Sequence, residues 1–343
     1  MPLQLKGVHK MLYVGVDAHK ATSQIAVMEQ DGRVIRRRRV CSRRADVHEA
    51  LGRYRRPMKV VLEAGYNWGP MYDWLGEIAD DVVLAHPAKV RAIADARIKT
   101  DAIDSETLAH LLRADLIPEA YAPSKDVRAI KRVLRQRMFF VRVRAMLRNR
   151  VHALLAQHSV EQPKVSDIFG NGGLRWLRGL RLPDPDGAVL QEDVGLFEVL
   201  TERIGATEEL IKELSAGDEA VDYLKSLPGI GEFLSVLIRY EVDDIKRFRE
   251  PKKFAAYTGL VPSTYASGNR MVHGRLTKRG NKWLRWAFVE AVWPAVRKSP
   301  WLRGYYERIK KRRGVKDAKV ATARKLAELA HTVWTQRRYY EER

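Results

Sequence analysis

The sequence predicts a mixed α/β sheet domain over residues 10–120, a long basic helical, coiled-coil-like connector over 121–220, and a mainly helical C-terminal domain over 221–343. Three observations carry this. Short β-rich apolar runs alternate with helical ones through the first quarter of the chain. From Asp126 to His158 the chain holds neither Pro nor Gly and repeats its apolar residues at helical spacing. Gly170, Gly172, Gly173, Pro183 and Pro185 then give 160–190 a linker composition, after which the chain ends in two helix-like segments rich in Trp, Ala, Lys and Arg.

Residues 11–17 (MLYVGVD) are apolar enough for a buried strand, and 22–29 (TSQIAVME) form a second that ends at the turn Gln30-Asp31-Gly32. RVIRRRRVCS alternates poorly, which predicts an exposed edge strand. Asp46 to Tyr54 reads as helix, MKVVLEA as a strand ending at Gly65, Gly69 to Ile78 as helix, DVVLAH as strand, and the segment after Pro87 as helix. The order β-β-β-α-β-α-β-α makes a mixed sheet covered on both faces, the order of elements in ribonuclease H-like (RuvC-like) folds. A doubly wound nucleotide-binding fold fits less well. Its first strand leads into a Gly-rich turn and a helix, whereas Asp17-Ala18-His19-Lys20 leads into another strand.

Composition narrows the partners. The chain has 343 residues with 63 Lys and Arg against 42 Asp and Glu, a formal charge of +21 that costs self-repulsion unless a polyanion offsets it. Eight Trp, thirteen Tyr and 45% hydrophobic residues predict structured domains rather than a basic tail. The single cysteine, Cys41, excludes an intramolecular disulfide and zinc sites needing two thiolates. No run approaches the roughly 18 apolar residues of a membrane span, and MPLQLKGVHK lacks the apolar core of a signal peptide. A cytoplasmic, nucleoid-associated protein without a membrane partner is expected.

Along 126–158 the stripe Val127, Ile130, Leu134, Met138, Val141 and Ala145 predicts one packed face. Arg128, Lys131, Arg132, Arg135, Arg137, Arg142, Arg144, Arg148 and Arg150 surround it, with no acid before Glu161. Such unopposed cations are expected to meet phosphates, against the alternative of a solvated interdomain face. Further on, Leu227-Pro228-Gly229-Ile230-Gly231 lies between two apolar segments and resembles a helix-hairpin-helix, whose glycines let backbone N–H groups approach a phosphate. An ordinary tight connection between packed helices explains the same glycines equally well.

Four carboxylates stand out: Asp17, Glu63, Asp101 and Asp104. Asp17 and Glu63 close apolar runs that should be buried, where an unpaired carboxylate is very costly. Asp101 and Asp104 are three apart, on one face of a helix, whereas Glu106 points elsewhere. Phosphodiester cleavage needs charge stabilisation at the attacking and leaving oxygens, and two magnesium ions roughly 3.5–4 Å apart on hard oxygen ligands supply it.

VGVDAHK, LEAGYN and HPAKVRAIADARIKTDAIDSETLAHLL resemble the N-terminal half of the DEDD transposases of bacterial insertion sequences, the insertion sequence 110 family. The family's four acids match Asp17, Glu63, Asp101 and Asp104. In the second half, FAAYTGLVPSTYASGNRMVHGRLTKRGNKWLRWAFVEAV resembles the C-terminal transposase domain of the same family, with its AxxGLVPxxxxSG and TKxGNxxLR motifs; Leu276 stands where the family often has Ile. The resemblance implies a nucleophilic serine at Ser267, a 5′-phosphoserine intermediate, and guidance by a structured noncoding bridge RNA. The resemblance favours a site assembled across subunits, and joining two DNA partners implies a homo-oligomer, a dimer or a tetramer. Arg270, Lys278, Arg279 and Arg285 are candidates for DNA phosphate contacts.

Three alternatives share parts of this pattern. A Piv-type site-specific invertase has the acids and the serine. A structure-selective endonuclease of the Holliday-junction resolvase type uses the acids with water as nucleophile. A noncatalytic nucleic-acid-binding protein keeps the acids in structural pairs.

Overall fold

The computed structural model describes residues 10–54, 57–93, 101–267, 270–276 and 280–342, the side chains of residues 102, 263–267 and 270–275 excepted. Two compact units divide the chain, Met1–Lys125 and Asp126–Arg343.

In the first unit, β1 (Leu12–Ala18), β2 (Thr22–Met28), β3 (Val34–Cys41), β4 (Met58–Glu63) and β5 (Asp81–Ala85) form one sheet in the order β3-β2-β1-β4-β5. The first three strands are antiparallel neighbours, while β1, β4 and β5 run parallel. This is the mixed sheet the element order predicts, and β3 lies at its edge. Residue parity sorts the two faces. Val14, Val16, Val60 and Leu62 point to one side, where α1 (Arg44–Leu51) and α2 (Trp68–Gly76) cover them with Val47, Leu51, Met71 and Leu75. Val61 and Ala85 point to the other, packed against Val90 of α3 (Pro87–Ile93) and Leu108 and Leu112 of α4 (Asp101–Arg113).

On that second face, between Tyr13 and Asp17, β1 carries Gly15. A Cβ there would lie 1.9 Å from the Ser105 carbonyl oxygen and 2.8 Å from the Ala109 nitrogen, so α4 rests directly on the β1 backbone. Ser105 and Ala109 are fully buried in this contact. The arginines of β3 serve both faces. Arg37 donates to Glu106 of α4 at 2.6 Å, and Arg38 to Glu49 of α1 at 3.1 Å. Glu106, which the helical spacing directs away from Asp101 and Asp104, is thereby a clamp on α4.

The second unit is helical apart from one hairpin. The 33-residue α5 (Lys125–Gln157), ~50 Å long at the usual helical rise, contributes to two cores. Its first half buries Val127 and Leu134 among α8 (Glu219–Lys225), α9 (Glu232–Val242), α10 (Pro251–Tyr257), α11 (Lys282–Lys298) and α12 (Pro300–Thr335), the last interrupted at Gly314. Its second half buries Leu147, Val151 and Leu155 against α6 (Asn171–Gly179) and α7 (Asp186–Leu214). The apolar stripe therefore drifts from the expected Val141 and Ala145 to Val143 and Leu147, and Ala145 is exposed. Gly173 packs closely at the start of α6, where a Cβ would lie 2.3 Å from the Ile168 backbone. Among the described residues, no helix is long and apolar enough to cross a membrane.

Acids distant in sequence oppose five of the nine cations that surround the stripe of α5, which corrects the expectation of a wholly unopposed array. Arg137 pairs with Glu208 at 2.5 Å, Arg148 with Asp167 at 2.9 Å and Arg150 with Asp193 at 3.0 Å. Lys131 and Arg135 both meet Glu241. A one-dimensional reading misses this because the acids lie on α7, α9 and the α5–α6 connection.

Gly15→Ala is expected to lower stability by about 1–3 kcal/mol through overpacking of α4 against β1, measured as a fall in the urea midpoint. Unchanged stability would show that α4 does not depend on this approach.

Candidate active site

Val16 pairs with Leu62 across the parallel strands β1 and β4, so Asp17 and Glu63 are the next residues on neighbouring strands. They share one sheet edge and one face, the face on which α4 lies. Asp101 and Asp104 occupy the first turn of α4, just before Ser105, the residue by which the helix rests on Gly15. The strand register and the helix contact thus bring four acids that are far apart in sequence to a single edge.

The side chain of Asp17 is 16% exposed. Burial pushes its carboxyl above the ordinary value, and the negative charges of Asp101 and Asp104 push the same way, while His19 opposes them. His19 is a residue that sequence reasoning passed over. Its Nε2 lies 3.1 Å from Asp17 Oδ2 and 3.5 Å from Asp101 Oδ1, and one ligand atom from each of the three falls within 4.8 Å of the others. Glu63 and Asp104 stand outside that triad. His19 is itself held by its backbone: Ser42 donates to its carbonyl at 2.8 Å and Asn67 Nδ2 at 2.9 Å. Asn67, from the LEAGYN segment, therefore ties the loop after Glu63 to the loop after Asp17. The only sequence signal was the position of both residues within the two motifs.

This donor set fits a divalent cation. Asp17, with the negative charges of Asp101 and Asp104 acting on it, forms a concentrated negative site, which a cation relieves. Carboxylate oxygens suit a hard ion, and the His19 imidazole adds one nitrogen.

Ser267 belongs to the second unit. It is the last residue of β6 (Pro262–Ser267), opposite Arg270 of β7 (Arg270–Leu276). The family-like segments flanking this hairpin have a structural explanation. Gly259 has φ of 73°, and a Cβ on Gly280 would lie 2.2 Å from the Gly259 nitrogen, so two glycines close the hairpin base backbone to backbone. Asn281 then caps α11, its Oδ1 accepting from the N–H groups of Trp283 at 2.9 Å and Leu284 at 3.2 Å. The Nδ2 of Asn281 donates to Glu241 at 3.0 Å.

Glu241 is the second residue that sequence reasoning missed. It is 2% exposed, accepts from Arg135 at 3.0 Å and lies 3.8 Å from the Lys131 ammonium, whose pKa burial pushes down while Glu241 pulls it up. The hairpin base is thus tied to α5 through one buried carboxylate. An acid inside the apolar run FLSVLIRYEV was the available signal.

The remaining candidates are spread out. Arg132 and Arg142 are exposed on α5, and Arg128 is half-buried. Gly229, with φ of 83°, lies under α11, where a Cβ would be 2.3 Å from the Ala291 carbonyl oxygen. Packing between helices accounts for it. Gly231 caps α9 with open space around its Cα. Arg285 lies beside Gly259. Lys278 and Arg279 lie outside the described residues.

A mixed sheet with clustered carboxylates at the ends of its parallel strands and on the helix above them is consistent with a DEDD-type domain. A family model described as Transposase, of the DEDD type of insertion sequence IS110, matches residues 14–160, and one described as Transposase IS116/IS110/IS902 family matches 221–307. The chain belongs to this family and is a DNA transposase of the insertion-sequence kind. It is 26% identical over 309 residues to the "Probable family 20 transposase" of Pseudomonas aeruginosa, covering 86% of this chain and 89% of that protein. It is 25% identical to the transposase for insertion sequence element IS1328 of Yersinia enterocolitica, covering 94% of this chain and 96% of the relative. For the transposase of element IS1111A of Coxiella burnetii the identity is 26%, over 95% and 90%.

Glu241→Ala is expected to cost about 3–5 kcal/mol, because it leaves Lys131 buried without its partner. Denaturant unfolding checks this, and a loss below about 1 kcal/mol, the scale of a surface pair, would remove Glu241 as the anchor of the hairpin base.

Proposed function

We propose that this transposase cuts and rejoins DNA through a covalent link between Ser267 and a 5′ phosphate. In this reading two magnesium ions are held by Asp17, Glu63, Asp101 and Asp104. The observation that carries it is the convergence of Asp17, Asp101 and Asp104 with Glu63 at one sheet edge. The family-matched serine on the β6–β7 hairpin supports it further.

The Ser267 hydroxyl attacks the phosphorus and yields its proton to a carboxylate of the site. The bond from phosphorus to the 3′ oxygen of the preceding nucleotide breaks, and that oxygen leaves as a hydroxyl on taking up a proton. A free 3′-hydroxyl from the other DNA then attacks the phosphoserine and returns the serine, so the bond energy is conserved without a nucleotide cofactor. Bound magnesium supplies stabilisation of the charge that develops on the phosphoryl oxygens. Since acids and serine lie in different units, the reading requires the two to meet by folding or across subunits of a homo-oligomer, a dimer or a tetramer holding both DNA partners.

Sequence choice is assigned to a structured noncoding bridge RNA that pairs with donor and target DNA, leaving the protein to hold backbones. Phosphate contacts are assigned to Arg132 and Arg142 on α5 and to Arg270, Lys278, Arg279 and Arg285 around the hairpin. Lys131, Arg135 and Gly229 have structural roles that account for them.

Incubating the full chain, the RNA encoded beside it and DNA bearing the element's ends with magnesium is expected to give a protein–DNA adduct. Ser267→Ala removes the adduct and strand exchange; Asp17→Asn and Asp104→Asn do the same with near-normal DNA binding. Cleavage that survives Ser267→Ala without an adduct would replace this mechanism with a water-using resolvase-type nuclease. An undiminished adduct without the RNA would remove the guide.

A further inference from the structure

Within the second unit, α5 and α11 enclose a groove of about 510 Å³ whose aromatic walls the assigned chemistry leaves unused. Its walls are aromatic and apolar: Met138 and Phe139 from α5, Trp283 and Trp286 from α11. Phe139 is 47% exposed and Trp286 36%, a large apolar surface to leave open to water. Arg135, Arg137 and Arg142 line the same groove, and among the described residues no acid does.

The cations are organised around the rings. The Arg135 guanidinium lies 5.6 Å from the centre of the Trp283 ring and the Lys282 ammonium 4.9 Å from it, while Arg142 lies 5.8 Å from Phe139. Glu241 fixes Arg135, and Glu208 fixes Arg137, so these two are held in place before any ligand arrives. Arg142 and Lys282 are exposed at the rim.

We propose that this groove binds unpaired nucleotides of a single-stranded nucleic acid segment, with bases stacked on Trp286 and Phe139 and the backbone phosphates at Arg142 and Lys282. Flat aromatic walls beside cations suit a base and its phosphate together. A duplex keeps its base faces covered, so only an unpaired segment can use the walls. A second copy of this chain is the poorer occupant. It would bring the Arg142 and Lys282 cations of two copies together in a protein of charge +21. The inference rests on the nucleic-acid chemistry of the transposase but not on the serine mechanism.

The test compares an unstructured single-stranded oligonucleotide with a hairpin duplex of the same composition, using the full chain. Trp286→Ala is expected to weaken single-strand binding by roughly 5- to 150-fold, the span measured for loss of one base–aromatic stack, and to leave duplex binding unchanged. Trp286→Phe keeps a stacking face and restores most of the affinity, which separates stacking from misfolding. Equal losses for both ligands, or no loss for either, would overturn the proposal. So would a shift from dimer to monomer in sedimentation with single-strand affinity intact, which would assign the groove to a second copy. Adduct formation at Ser267, followed in parallel, reports on the serine mechanism separately.

Discussion

Everything about the acid cluster depends on how closely α4 approaches β1. The contact is possible because residue 15 has no side chain: the Ser105 carbonyl occupies the space where a Cβ would be. A helix held at ordinary distance from the sheet would place Asp101 and Asp104 farther from Asp17, and their charges would act on it less. Burial raises the proton affinity of Asp17, and the charges of Asp101 and Asp104 add to it. Three further contacts hold the arrangement: Arg37 on Glu106 from the edge strand, His19 between Asp17 and Asp101, and Asn67 on the His19 carbonyl. The site is rigid because sheet register, helix packing and side-chain hydrogen bonds all act on the same few residues.

The second unit uses a related device at the base of its hairpin. Gly259 and Gly280 meet backbone to backbone, Asn281 turns the chain into α11, and Glu241 binds Asn281 on one oxygen and Arg135 on the other. A buried acid of this kind contributes specificity of geometry more than net stability, since its desolvation offsets much of what its partners return. The motif glycines and asparagine therefore have a structural reason independent of any contact with DNA. Ser267 is the last residue of a strand in a hairpin whose base is closed by two glycines and tied to a long helix.

Local pattern was enough for the first unit. The eight elements from β1 to α3 follow from apolar runs and turn residues, and the edge position of β3 from its four arginines, because a half-buried strand cannot carry them. Asp17 and Glu63 stood out because carboxylates at the ends of apolar strands violate the expected burial, and Asp101 and Asp104 because their spacing puts them on one face of a helix. What sequence could not give was anything set by contacts between distant segments. The cations of α5 looked unopposed because Glu208, Glu241, Asp167 and Asp193 are remote or beyond the helix. Ala145 seemed to belong to the apolar stripe because a straight repeat was assumed, whereas α5 turns from one core to another near Phe140. Gly229 carried two readings of equal weight until its closeness to Ala291 showed what occupies the missing Cβ. His19 and Glu241 were missed for a common reason, since each matters only through partners that the fold supplies.

The central claim is that Asp17, Asp101 and Asp104 form one cation-binding cluster assembled by α4 on Gly15. Anomalous diffraction from crystals of the full chain soaked in manganese tests it most directly. The account predicts an anomalous peak within bonding distance of Asp17 and an acid of α4. Peaks confined to other carboxylates, with the Asp17 edge empty at saturating manganese, would contradict it.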